Sequence, residues 1–251
     1  MNKTELTKIK EMVKEENYGA LKDYLKEIEY NLSLEELNSN TSKKRLNAIK
    51  KYLNKNLKMS KPILRPILSK CDYQEINGKE TQVFTNSYSA FFFADEEIIQ
   101  GLNTVDKNEK EKQAYPSLVQ IYNASQVALC SISEENYITV GNIYQAISRA
   151  KSLDKDFVIF NLRDKNNNKS NQSFIYIAIK ELEDVLTILD LKGNDVVATR
   201  PVRKNGEISL ISPITFKKNE NAVAILCPFR RTGNDINEVQ EMQVIEYDCL
   251  H

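Results

Sequence analysis

The chain has 251 residues, room for one large domain or two ordinary ones, with 41% hydrophobic and 28% charged content, as expected of a soluble globular protein. Lys and Arg number 35 against 35 Asp and Glu, and no apolar run approaches the ~20 residues that cross a bilayer, so no membrane partner is expected. The opening "MNKTELTKIKEMVKEEN" is charged throughout, unlike a signal peptide, which leaves a cytoplasmic location as the default expectation.

In chain order, residues 4–29 show helical spacing through Leu6, Ile9, Val13, Leu21, Leu25 and Ile28, with a break expected near Gly19. Asn31 and Ser33 offer caps for a short helix "SLEEL", where Ser33 and Glu36 stand at capping-box spacing. A third helix is predicted from about Ser42 to Leu57, with Leu46, Ile49, Leu53 and Leu57 as its apolar stripe. Pro62 and Pro66 then mark a change from helical to strand-like spacing. "YQEI" and "KETQVF" flank Asn77-Gly78, a two-residue hairpin signal, and "TNSYSAFFFADEE" turns into an aromatic strand. The charged stretch 103–113 reads as a loop and a domain boundary.

Beyond it, "YITV" precedes a helix with Ile143, Ala146, Ile147 and Ala150 on one face. Strands "DFVIFNL" and "SFIYIAI" bracket the polar loop "RDKNNNKSNQ", and "KELEDVLTILDL" is a short helix turning Leu182, Val185, Leu186 and Leu189 inward. "DVVATRPV" and "EISLIS", joined at Asn205-Gly206, lead to "AVAILCPF", and "MQVIEY" in the tail is one more strand. The pattern is α+β, dominated by antiparallel hairpins and preceded by a helical segment. The expected divisions are 1–60, 61–114, 115–231 and a tail 232–251.

The chemistry-bearing residues are sparse. Four cysteines, Cys71, Cys130, Cys227 and Cys249, form no CxxC, and the single histidine is His251. Reduced, mostly packed thiols and no metal site are expected. A terminal histidine is a poor general base, and the seven glycines form no phosphate-cradling loop. Asp95, Glu96 and Glu97 read as a solvated acidic turn. No enzymatic activity and no cofactor are therefore expected.

Charge is segregated. Residues 1–39 carry six basic and nine acidic side chains, Asn40–Lys70 ten basic and no acidic, and 71–251 19 basic against 26 acidic. Two readings of the basic segment stand: a solvated helix face balanced by the acidic first helix, or a helix that contacts phosphates through Lys43, Lys44, Arg45, Lys50, Lys51 and Lys55.

The run from Phe174 to Arg230 resembles the last part of a bacterial DNA polymerase sliding clamp (the DNA polymerase III beta subunit). It has a strand, a leucine-faced helix in "FIYIAIKELEDVLTIL", hairpin strands, and a final strand ending Leu226-Cys227-Pro228-Phe229-Arg230, similar to the clamps' Met-Pro-x-Arg ending. Thr85-Asn86-Ser87-Tyr88-Ser89-Ala90 resembles the clamps' Thr-Asp-Gly/Ser-His/Tyr-Arg-Leu turn, with Asn86 for Asp and Ser89 for Arg. Tyr115-Pro116 is similar to their connector. The resemblance covers roughly 62–94 and 115–230, space for about two of the three clamp domains, as in a shortened phage or mobile-element form.

The resemblance implies a processivity factor for DNA replication that binds double-stranded DNA without sequence preference, as a homo-dimer or trimer. It implies Arg149 and Lys151 on a helix lining the hole, with plain surface charges as the other reading of these two. It also implies a peptide groove for a DNA polymerase or other replication protein, with Ile225, Cys227, Pro228 and Phe229 on one wall and Thr85, Ser87, Tyr88 and Ala90 on the other. Phe229 has a second reading, core packing against the tail residues 240–247. The alternative function is a non-ring regulatory protein that binds a host replication protein or DNA through the basic helix.

Overall fold

The computed structural model describes residues 3–14, 18–58, 65–106, 115–126, 140–164, 173–192, 197–199, 213–229 and 236–249. The chain divides into two compact units, residues 1–45 and 46–251. The first unit is helical: α1 (Lys3–Lys14), then most of α2, which runs without interruption over Tyr18–Asn56 into the second unit. Gly19 thus stands in the first turn of α2. The expected separate helices at 33–37 and 42–57 are a single one, because 25–42 contains neither glycine nor proline to stop it. Ser33 and Glu36 lie inside that helix instead of capping a new one.

In the second unit, the last turns of α2 bury Ile49, Tyr52, Leu53 and Asn56. A short helix α3 (Arg65–Leu68) leads to β1 (Asp72–Ile76) and β2 (Lys79–Thr85), which pair antiparallel through Asn77-Gly78. Both turn residues have positive φ, 53° and 78°, as a type I′ hairpin requires. Next come β3 (Ser89–Ala94), α4 (Val119–Gln126), α5 (Val140–Ser152), β4 (Phe157–Asp164), β5 (Ser173–Ala178) and α6 (Ile179–Ile188). The chain closes with β6 (Val197–Thr199), β7 (Ile214–Asn219), β8 (Ala222–Leu226), α7 (Ile236–Glu241) and β9 (Ile245–Cys249).

Among the described residues the strands form a six-stranded antiparallel sheet, β1-β2-β3-β8-β7-β6, and a three-stranded sheet, β5-β4-β9. In the small sheet β9 runs parallel to β4, with Phe160 opposite Ile245, so a strand of the 232–251 tail is part of a sheet. The fold is α+β with antiparallel sheets and short helices. Residues 61–114 and 115–231 share the large sheet, since β3 pairs with β8. "EISLIS" and most of "YITV" lie outside the described residues.

Both faces of the large sheet are covered, which explains its unalternating apolar strands. Phe84, Phe91, Phe93, Ala222, Ala224, Leu226, Ile214 and Phe216 join α2, α5, α6 and the small sheet in the main core. Val83, Ala90, Phe92, Val223 and Ile225 form a second core with Leu68, Tyr115 and Leu118. Large residues of β3 stand opposite small ones of β8, Phe91 against Ala224 and Phe93 against Ala222, so the main core fills without crowding. Tyr52 sits edge-on to Phe91 at 5.1 Å, fixing α2 on that layer.

Candidate nucleic-acid interface

The end of α2 divides cleanly by face. Its rotation of ~100° per residue turns Ile49, Tyr52, Leu53 and Asn56 into the core and leaves Lys50, Lys51 and Asn54 exposed, followed by exposed Lys58. On the same helix, within the first unit, Lys43 and Lys44 are exposed and Arg45 is half-buried. Lys43, Lys44, Lys50 and Lys51 form no ion pair among the described residues. The other expected cations are engaged. Lys55 donates to Asp184 of α6 at 2.5 Å, Lys151 of α5 donates to Glu183 of α6 at 2.7 Å, and Arg149 Nε donates to the Glu241 carbonyl at 3.2 Å.

Polar groups on the buried side of α2 hold it at the β2–β3 turn. The Tyr52 hydroxyl donates to the Ser89 carbonyl at 3.0 Å and lies 2.8 Å from Ser89 Oγ. Asn56 Nδ2 donates to the carbonyls of Thr85, at 3.0 Å, and Leu68, at 2.5 Å. Burial pushes the Tyr52 phenol well above its ordinary pKa, with Ser89 partly opposing the shift. Burial likewise raises the Cys71 thiol to about 11.

The turn itself is over-determined. Asn86 Oδ1 accepts from the Tyr88 and Ser89 N–H groups at 2.9 and 2.8 Å, and its amide donates to Glu181 at 2.8 Å. Ser87 is held at φ 75°, and Tyr88 projects outward, 65% exposed. The Cys227 N–H donates to the Tyr88 carbonyl at 2.8 Å, continuing the β3–β8 pairing, so the two expected groove segments are neighbours at one sheet end. Phe229 donates its N–H to the Tyr176 carbonyl at 3.1 Å and packs edge-on against Phe157 at 5.9 Å, yet stays 39% exposed.

The surface of this region consists of Ser87, Tyr88, Cys227, Pro228 and Phe229. Ala90 and Ile225 do not reach it. Their side chains alternate into the second core, and Thr85 is buried with its hydroxyl spent on Ser89 and Ser87. Ring contacts of Phe229 among the described residues are with Phe157 and Tyr176.

Sequence reasoning missed Tyr52, Asn56, Asn86 and Glu181 as the residues that fasten the turn. An Asn two residues before Tyr88 is a turn signal, but the other three partners are distant in sequence. The acidic turn Asp95–Glu97 is also engaged, with Asp95 accepting from Lys79, Glu96 from Asn221 and Glu97 from Asn219. Among the described residues no group of three His, Cys, Asp or Glu is placed to hold a metal ion, and no helix is long and apolar enough to cross a membrane. No protein-family model, no curated protein and no solved structure matches this chain.

Proposed function

We propose that the protein binds double-stranded DNA without sequence preference, through phosphate contacts of the basic helix α2, as an accessory of DNA replication. The observation that carries the reading is the state of Lys50 and Lys51. Both are exposed, neither has a carboxylate partner among the described residues, and both stand on a helix whose opposite face is locked into the core. Lysines on a preformed helix bind phosphate without first having to order the backbone, and contacts to phosphate carry no sequence information. Replication as the setting comes from the clamp resemblance alone.

The test is fluorescence anisotropy of a short linear duplex over a salt series. Lys50→Ala with Lys51→Ala should flatten the slope of log K against log salt by about 1.8, near 0.9 per lost contact. An unchanged slope sinks the proposal.

A second reading is capture of an extended apolar peptide from a polymerase or another replication protein. Its support is the exposed pair Tyr88 and Phe229, flanking Cys227 and Pro228, on the two segments that carry the clamp resemblance. Aromatic side chains partly stripped of neighbours are typical anchors for such partners. Ring closure around DNA belongs to this reading.

A further inference from the structure

We infer that two consecutive carboxylates of α6, Glu183 and Asp184, hold Lys151 and Lys55 in reserve and thereby set how tightly the protein grips a phosphate backbone; this rests on the reading of α2 as a phosphate-binding helix. Successive helical residues point ~100° apart, so adjacent carboxylates reach different neighbours. Asp184 reaches Lys55 at the end of α2, and Glu183 reaches Lys151 at the end of α5. One short acidic edge thus neutralises cations from two separate helices. The remaining carboxylate near the start of α6, Glu181, is spent on Asn86 and Ser89.

The pairs are of the kind that phosphate displaces. Side-chain exposure is 54% and 40% for Lys151 and Glu183, and 29% and 21% for Lys55 and Asp184. Water screens such contacts, and their net strength is small against the field of a duplex carrying a charge about every 1.7 Å. Lys50 and Lys51 have no such partner among the described residues, so binding starts on them and extends to Lys55 only where a phosphate outcompetes Asp184. The carboxylates keep the affinity low and the contact number small.

The alternative is that both pairs only tie α6 to its neighbours, and one experiment separates the two. Glu183→Gln with Asp184→Asn is compared with wild type by duplex anisotropy between about 200 and about 50 mM salt, with thermal melting alongside. Releasing both cations should steepen the slope by about 1.8, so the affinity gained on lowering the salt grows about tenfold more than in wild type. Adding Lys55→Ala should return about half of that change. The equal-charge control Glu75→Gln with Glu80→Gln, at two exposed carboxylates of the β1–β2 hairpin, should leave the slope unchanged. A slope unchanged in Glu183→Gln/Asp184→Asn, with or without a lower melting temperature, overturns the inference while the Lys50/Lys51 result stands. Equal steepening in the control also overturns it. Absence of salt-dependent binding in every form overturns it together with the reading of α2.

Discussion

Tyr52 shows how one side chain ties the basic helix to the rest of the second unit. It is fully buried, stacks edge-on against Phe84 and Phe91, and spends its hydroxyl on Ser89. Its charged form is disfavoured, as is that of Cys71, because burial removes the water that would solvate a phenolate or thiolate. Both groups have folded pKa values above their ordinary ones of 10.0 and 9.0. The native state therefore binds the proton more tightly. The stability they contribute is complete below the ordinary values and lost as pH rises through the folded ones. Urea unfolding should give a level free energy up to about pH 9 and a fall of about 2 kcal/mol from Cys71 alone by about pH 11. A level profile across that window contradicts the assigned burial. Cys71 is buried, as expected of a packed thiol, but Tyr52 did not stand out in the sequence: it lies among lysines, and nothing local says that it faces a turn 37 positions away.

Elements differ in how much of themselves they disclose. The Asn77-Gly78 hairpin was legible because its geometry depends on two adjacent residues that tolerate positive φ. Space around a Cβ at Gly78 is open, so Gly78→Ala meets no clash and costs only the left-handed backbone strain. Chemical denaturation should show a loss of about 1 kcal/mol, with an unchanged m-value. No loss means that the turn relaxes to another type. The apolar run of β8 was legible as a late core strand, since a strand covered on both faces has no polar side to alternate with. The length of α2 was not. Ser33 and Ser42 look like helix starts, but a cap signal stops nothing when the preceding turns can continue.

At the scale of the molecule, sequence boundaries and sheet membership part company. A boundary at 103–113 separates stretches whose strands nevertheless meet in one sheet, through β3 and β8. The encircling form of the clamp reading is decided by solution mass. Light scattering over a range of concentrations should give a closed dimer or trimer of the 28.9 kDa chain if ring formation is right. A mass of one chain at every concentration removes encirclement and leaves binding by α2 as the account of function. The exposed end of the large sheet, with Tyr88 and Phe229, is present in either case.

The sequence by itself determined the α+β class, most strand and helix positions, the hairpin, and the basic segment from Asn40 to Lys70. All of these follow from periodicity, turn chemistry and charge within a few neighbouring residues. The tertiary structure alone decided which cations face water and which are matched. Lys50 and Lys55 look alike in the chain, yet Lys55 meets Asp184, 129 positions on. It also decided that Ala90 and Ile225 turn into the second core while Tyr88 and Phe229 stay exposed, and that the tail adds a parallel strand beside β4. The physical reason is one of range. A residue's own conformation is set by its neighbours in sequence, whereas its counter-charge and the layer above it are supplied by chain that packing alone brings near.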